Sequence, residues 1–164
     1  MTVDCKKFIV MIVVLVFSGC QITANQQYNN IVKSHNDLAD EANKSLEKAI
    51  VYYNNKDYAK SLSESKSCEE KFKNAQNVST TKIEIAKNIK NETWIGEFNQ
   101  KVFALENLRI SQCKLLQDAS MLAEADNSSD AQIKINELAD INDKFKKINI
   151  TLEDIKNQHL NSFK

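Results

Sequence analysis

Residues 138–155 read LADINDKFKKINITLEDI, and they decide the fold. Leu138, Ile141, Phe145, Ile148, Leu152 and Ile155 alternate three- and four-residue steps. That is the spacing of a single helix face buried in a bundle or coiled-coil seam. Upstream, Ser129-Asp130-Ala131-Gln132 has the form of a capping box, and Asn127-Ser128-Ser129 reads as the turn before it. Ile95, Phe98, Val102, Leu105, Leu108, Leu116, Ala119 and Leu122 mark a third helix that begins after a turn at Asn91-Glu92-Thr93.

The first two helices follow from the same pattern. Thr23-Ala24-Asn25-Gln26 matches a capping box. Tyr28, Ile31, Val32, Leu38, Ala42, Leu46, Ala49 and Tyr53 then form an apolar stripe that closes at Asn54-Asn55. Asp57 opens a second helix with the stripe Tyr58, Leu62, Cys68, Phe72 and Ala75. A further capping-box match at Thr81-Lys82-Ile83-Glu84, behind β-branched Val78 and Thr80, predicts a kink in that helix. The expected helices run over about 25–54, 57–90, 94–126 and 130–161. Each is roughly 45 Å long at 1.5 Å per residue, and the connections are short. Short connections make successive helices antiparallel neighbours, so the expected fold is all-α, an up-down-up-down four-helix bundle in one domain over 25–164.

Composition agrees. The 164 residues hold no proline and two glycines, Gly19 and Gly96, too few for turn-rich β architectures. Lys and Arg balance Asp and Glu at 22 each, which leaves no basic excess for phosphate contacts, and nucleic acid is not an expected partner.

Ahead of the bundle, Lys6 and Lys7 precede the apolar run Phe8 to Phe17 and then Ser18-Gly19-Cys20. A positive start, a short apolar middle and small residues at a cleavage site make a secretory signal. The run falls well short of the roughly 20 apolar residues a spanning helix needs. Phe17-Ser18-Gly19-Cys20 resembles the lipobox of prokaryotic lipoproteins, with Phe17 where that family usually has Leu, Val or Ile. The resemblance covers the first twenty residues. It implies a signal peptide over 1–19, a lipidated Cys20, a tether over 20–24 and membrane lipid as the anchor on the extracytoplasmic face of the cell membrane. Two acyl chains, at about 0.8 kcal/mol per buried methylene, would hold the domain there without a spanning helix.

Of four cysteines, Cys5 lies in the leader and Cys20 at the lipid position, leaving Cys68 and Cys113 in an exported domain where disulfides persist. Both lie about a dozen residues below the turns at Asn55 and Asn127, so antiparallel helices bring them level, and a disulfide is expected.

No catalytic, cofactor or metal site is expected. His35 and His159 count out to different heights and read as helix-edge histidines with solvent access. Glu-x-x-His, Cys-x-x-Cys and glycine-rich phosphate loops do not occur. Asp126, Ser128, Asp130 and Glu137 have EF-hand spacing, but Ala131 replaces the turn glycine and Lys134 adds a positive charge, so a plain helical turn is expected.

With Cys20 anchored, the junction between the second and third helices faces the lipid, and Trp94 there is a candidate membrane contact. The functional expectation is an exported, lipid-anchored interaction or structural module for an envelope protein or surface component. The alternative is a small-ligand carrier or sensor, with a cavity beside Ser65, Ala75 and Gln112.

Overall fold

The computed structural model describes residues 24–89 and 93–159. These form four helices, α1 (Ala24–Asn54), α2 (Tyr58–Ala86), α3 (Thr93–Glu124) and α4 (Ser128–Gln158). Consecutive helices pack against one another in an up-down-up-down four-helix bundle. The signal segment, the tether with Cys20 and Thr23, and the turn at 90–92 lie outside the described residues. Among the described residues, no helix is long and apolar enough to cross a membrane.

Two tight turns reverse the chain without glycine, and they are built alike. Lys56 (φ 60°) and Asp126 (φ 58°) take the left-handed conformation just past α1 and α3. The next amide then bonds back to the helix: Asp57 N–H to Tyr52 O and Asn127 N–H to Leu122 O, both at 2.9 Å. This is the Schellman arrangement, which satisfies the last carbonyls of a helix. The residue after each left-handed position also caps the following helix. Asp57 accepts from Lys60 N–H and Asn127 from Asp130 N–H, each at 3.3 Å. One residue therefore ends one helix and begins the next, which is why the connections are so short. Asn127 is the α4 cap, two residues before the expected capping box.

α2 runs through the expected kink region as one helix, with no restart at Thr81. Thr80 and Thr81 hydroxyls bond the carbonyls of Gln76 and Asn77, four residues back, so both are absorbed into a continuous helix and the local capping box is unused. α2 ends at Ala86, four residues earlier than expected.

The helices keep a heptad register. Tyr28 and His35 in α1 each bond a residue 71 positions on in α3, namely Asn99 and Glu106. The same step and offset set Ala42 level with Cys113 and Ala49 level with Ser120, and all four are buried. α2 runs the other way, with Cys68 joined to Cys113 and Ser61 meeting Ser120. We call the end where α1 begins the base and the end with the Lys56 and Asp126 turns the head. The apolar core lies toward the head: Ala42, Leu46, Ala49, Cys68, Phe72, Ile110, Cys113 and Leu116, with Tyr53 and Ile135 against it.

α4 packs against α3 and has no comparable contact with α1 or α2. Its heptad seam is consequently half-buried along most of its length, and only Ala131 and Ile155 are buried outright. The ring of helices is open between α1 and α4. A groove of about 100 Å³ runs there, lined by Leu46, Ile50, Arg109, Gln112, Leu116, Leu138 and Asn142.

Candidate functional site

The residues that could carry specific chemistry gather in the base half, between α1, α2 and α3. Glu106, on the inward heptad face of α3, is 4 % exposed. Its Oε1 faces His35 Nε2 from α1 in a close ion pair and accepts from the Ser79 hydroxyl of α2 at 2.8 Å. His35 Nδ1 lies 3.2 Å from Asn36 Oδ1. Both ring nitrogens thus lie within hydrogen-bond reach of a side-chain oxygen.

One turn nearer the base, Lys82 is 3 % exposed. Burial pushes its ammonium down to about 8, with the Glu106 carboxylate pulling in the opposite direction. At the next heptad step Tyr28 O–H donates to Asn99 Oδ1 at 3.0 Å. Two buried polar atoms of this layer, Glu106 Oε2 and Asn99 Nδ2, have no hydrogen-bond partner. Leaving such an atom unmet costs about 1–3 kcal/mol, so the layer is satisfied only in part.

His35 therefore corrects the expectation of a solvent-exposed helix-edge histidine: it is 5 % exposed and ion-paired. The signal was present in the spacing, because His35 stands seven residues from both Tyr28 and Ala42 on the apolar stripe. Glu106 and Asn99 likewise precede Cys113 by one and two heptads.

The other sequence-derived sites fall as follows. Cys68 and Cys113 are joined by a disulfide, with Cα atoms 6.0 Å apart and both side chains fully buried. Cys20 lies outside the described residues. Trp94, at the start of α3, is partly buried and stacks on His159 at the end of α4, with centroids 4.8 Å apart and planes 10° from parallel. The EF-hand-spaced residues are spent on turn chemistry. Asp126 is the left-handed residue, Asp130 accepts from Asn127 Nδ2, and Glu137 pairs with Lys134 at 2.8 Å. Among the described residues, no three His, Cys, Asp or Glu groups lie close enough together to hold a metal ion.

No family model, curated protein or solved structure matches the chain.

The small and polar seam residues offered for a ligand cavity are packed instead. Ser65 is fully buried with its hydroxyl on Ser61 O at 2.7 Å, and Ala75 is fully buried. Gln112 bridges Arg109 and Asn142 at 2.9 and 2.7 Å along the α1/α4 groove. Burial pushes the Arg109 guanidinium down, with Glu47 opposing, and the same group lies 4.1 Å from the centre of the Phe145 ring. That cation–π contact joins the Gln112–Asn142 hydrogen bond in fastening α4 to α3.

Proposed function

We propose that this chain is an exported lipoprotein. In this reading the leader over 1–19 is removed, Cys20 carries the lipid, and the disulfide-stapled bundle stands on the extracytoplasmic face of the membrane. There it presents helix faces and head turns to an envelope protein or surface component. The observation that carries the reading is the Cys68–Cys113 bridge. Buried structural disulfides persist in oxidising compartments and are rare where glutathione and thioredoxin keep thiols reduced. An export signal at one end of the chain and a core disulfide in the middle call for the same compartment.

The geometry of the base supports the orientation. α1 starts four residues after Cys20, a reach of at most about 14 Å of extended chain. The Tyr28–Asn99 bond and the Trp94–His159 stack set the start of α3 and the end of α4 at that same end. Trp94 is the single tryptophan, and contact of its ring with headgroups would move its emission to shorter wavelength on adding liposomes.

Support for a ligand carrier is weaker. Pockets for small molecules usually measure about 300–1,000 Å³. The α1/α4 groove, at about 100 Å³, is well below that, and the two troughs of about 420 Å³, beside Lys44 and Tyr52 and beside Leu108 and Lys147, are open to the surface.

The test is acyl labelling of the full chain in a bacterial host, comparing wild type with Cys20→Ser. The expected result is label in the membrane fraction for wild type and its loss in the variant. Unlabelled wild-type protein recovered from the cytosol, with both bundle thiols free, would overturn the proposal.

A further inference from the structure

Among the described residues, the base half encloses three ionisable groups of opposite sign in a layer that water hardly reaches, and the head half encloses none. Glu106 is the single buried anion among the described residues. It faces His35 from α1 and Ser79 and Lys82 from α2, while Asn99 stands one heptad away on its own helix. On the α4 side, Lys144 and Lys147 line the trough beside Asn107 and Leu108. Arg109, one turn along α3, is a further cation.

We propose that the Glu106 carboxylate is a charge latch: its negative charge holds the base half of α1, α2 and α3 closed, and taking that charge away releases that half. The Cys68–Cys113 bridge meanwhile keeps the head shut. Without that charge, Lys82 is left buried with no anion in its layer, and His35 loses the carboxylate it faces. Breaking a buried pair by removing one partner is strongly destabilising, because the surviving charge stays out of water. The head has no reason to follow, since the buried Ser61 and Ser120 hydroxyls are bonded to nearby carbonyls and α2 and α3 are covalently joined there. The inference does not depend on lipidation. It makes the end nearest α1's start the movable part and the head the fixed part.

The experiment is amide hydrogen exchange read by mass spectrometry on the full, disulfide-intact chain, comparing wild type, Glu106→Gln and the double variant Glu106→Gln/Lys82→Met at neutral pH. Glutamine keeps the size and the acceptor for Ser79 and removes only the charge. In Glu106→Gln, peptides containing His35, Ser79 and Glu106 should exchange about 100-fold faster, and those containing Ala49, Ser61 and Ser120 should change less than about threefold. Removing a buried cation in the double variant should restore most of the lost protection. The proposal is overturned if Glu106→Gln leaves the base peptides protected, if base and head lose protection together, or if the double variant is as open as the single one.

Discussion

The head and the base of this bundle bury polar groups in opposite ways. In the head, Ser61 O–H donates to Ala49 O at 2.9 Å, and Ser120 Oγ lies 2.7 Å from Leu116 O and 2.8 Å from Ser61 Oγ. Short hydroxyls reach carbonyls of their own or a facing helix, so polarity there is satisfied locally and the disulfide sits among small, well-packed residues. In the base, the buried groups are long and charged, they come from three helices, and two of their atoms go unmet. A heptad position tolerates a serine wherever a carbonyl is in reach, whereas a glutamate or lysine at the same depth needs its whole charge environment to be right.

The largest effect expected from breaking this contrast is on the head. Replacing Cys68 and Cys113 by alanine opens a loop with a sequence separation of 45. On the chain-entropy model this costs about 4 kcal/mol, readable as a fall in the denaturant midpoint, with a steeper slope as the uncrosslinked denatured chain expands.

Next comes Lys82. Between about pH 8, its value in the fold, and about pH 10.4, its value in the unfolded chain, the unfolded state binds more protons. Stability therefore rises with pH through that window, and the burial penalty is complete below it. Lys82→Met should raise stability at neutral pH by about 1–3 kcal/mol and flatten the rise between pH 8 and pH 10 in chemical denaturation.

A smaller loss sharpens the head side. Ser61→Ala removes the hydroxyl shared by Ala49 O and Ser120, and should cost about 1–2 kcal/mol by thermal unfolding. The smallest change is a gain. Lys56 holds a left-handed conformation that a β-carbon disfavours, so Lys56→Gly should stabilise the chain by about 0.5–1 kcal/mol, visible as a slightly higher Tm.

Much of this was legible from spacing. The 138–155 pattern identified the helical fold, and counting residues from the two turns brought Cys68 level with Cys113. Yet the cleanest seam in the chain belongs to the least enclosed helix. Leu138, Ile141, Phe145, Ile148 and Leu152 are only half-buried, because α4 meets α3 and the ring stays open toward α1. Periodicity reports which face is apolar and says nothing of how many neighbours cover it. The base layer was missed for the converse reason. Hydropathy sends Lys82, Asn99 and Glu106 outward, and only their seven-residue register with Ser61, Cys68, Cys113 and Ser120 shows that they point inward. The glycine-free turns escaped because left-handed Lys56 and Asp126 leave no compositional mark.

Export and anchoring of a stapled bundle are tested most directly by one peptide-mapping measurement. Protein isolated from producing cells, with free thiols blocked before lysis, is digested without reduction and analysed by mass spectrometry. The expected products are an N-terminal peptide that begins at a diacylated Cys20 and a cross-linked pair containing Cys68 and Cys113. A chain that still begins at Met1, with Cys20, Cys68 and Cys113 all carrying the blocking reagent, would contradict it.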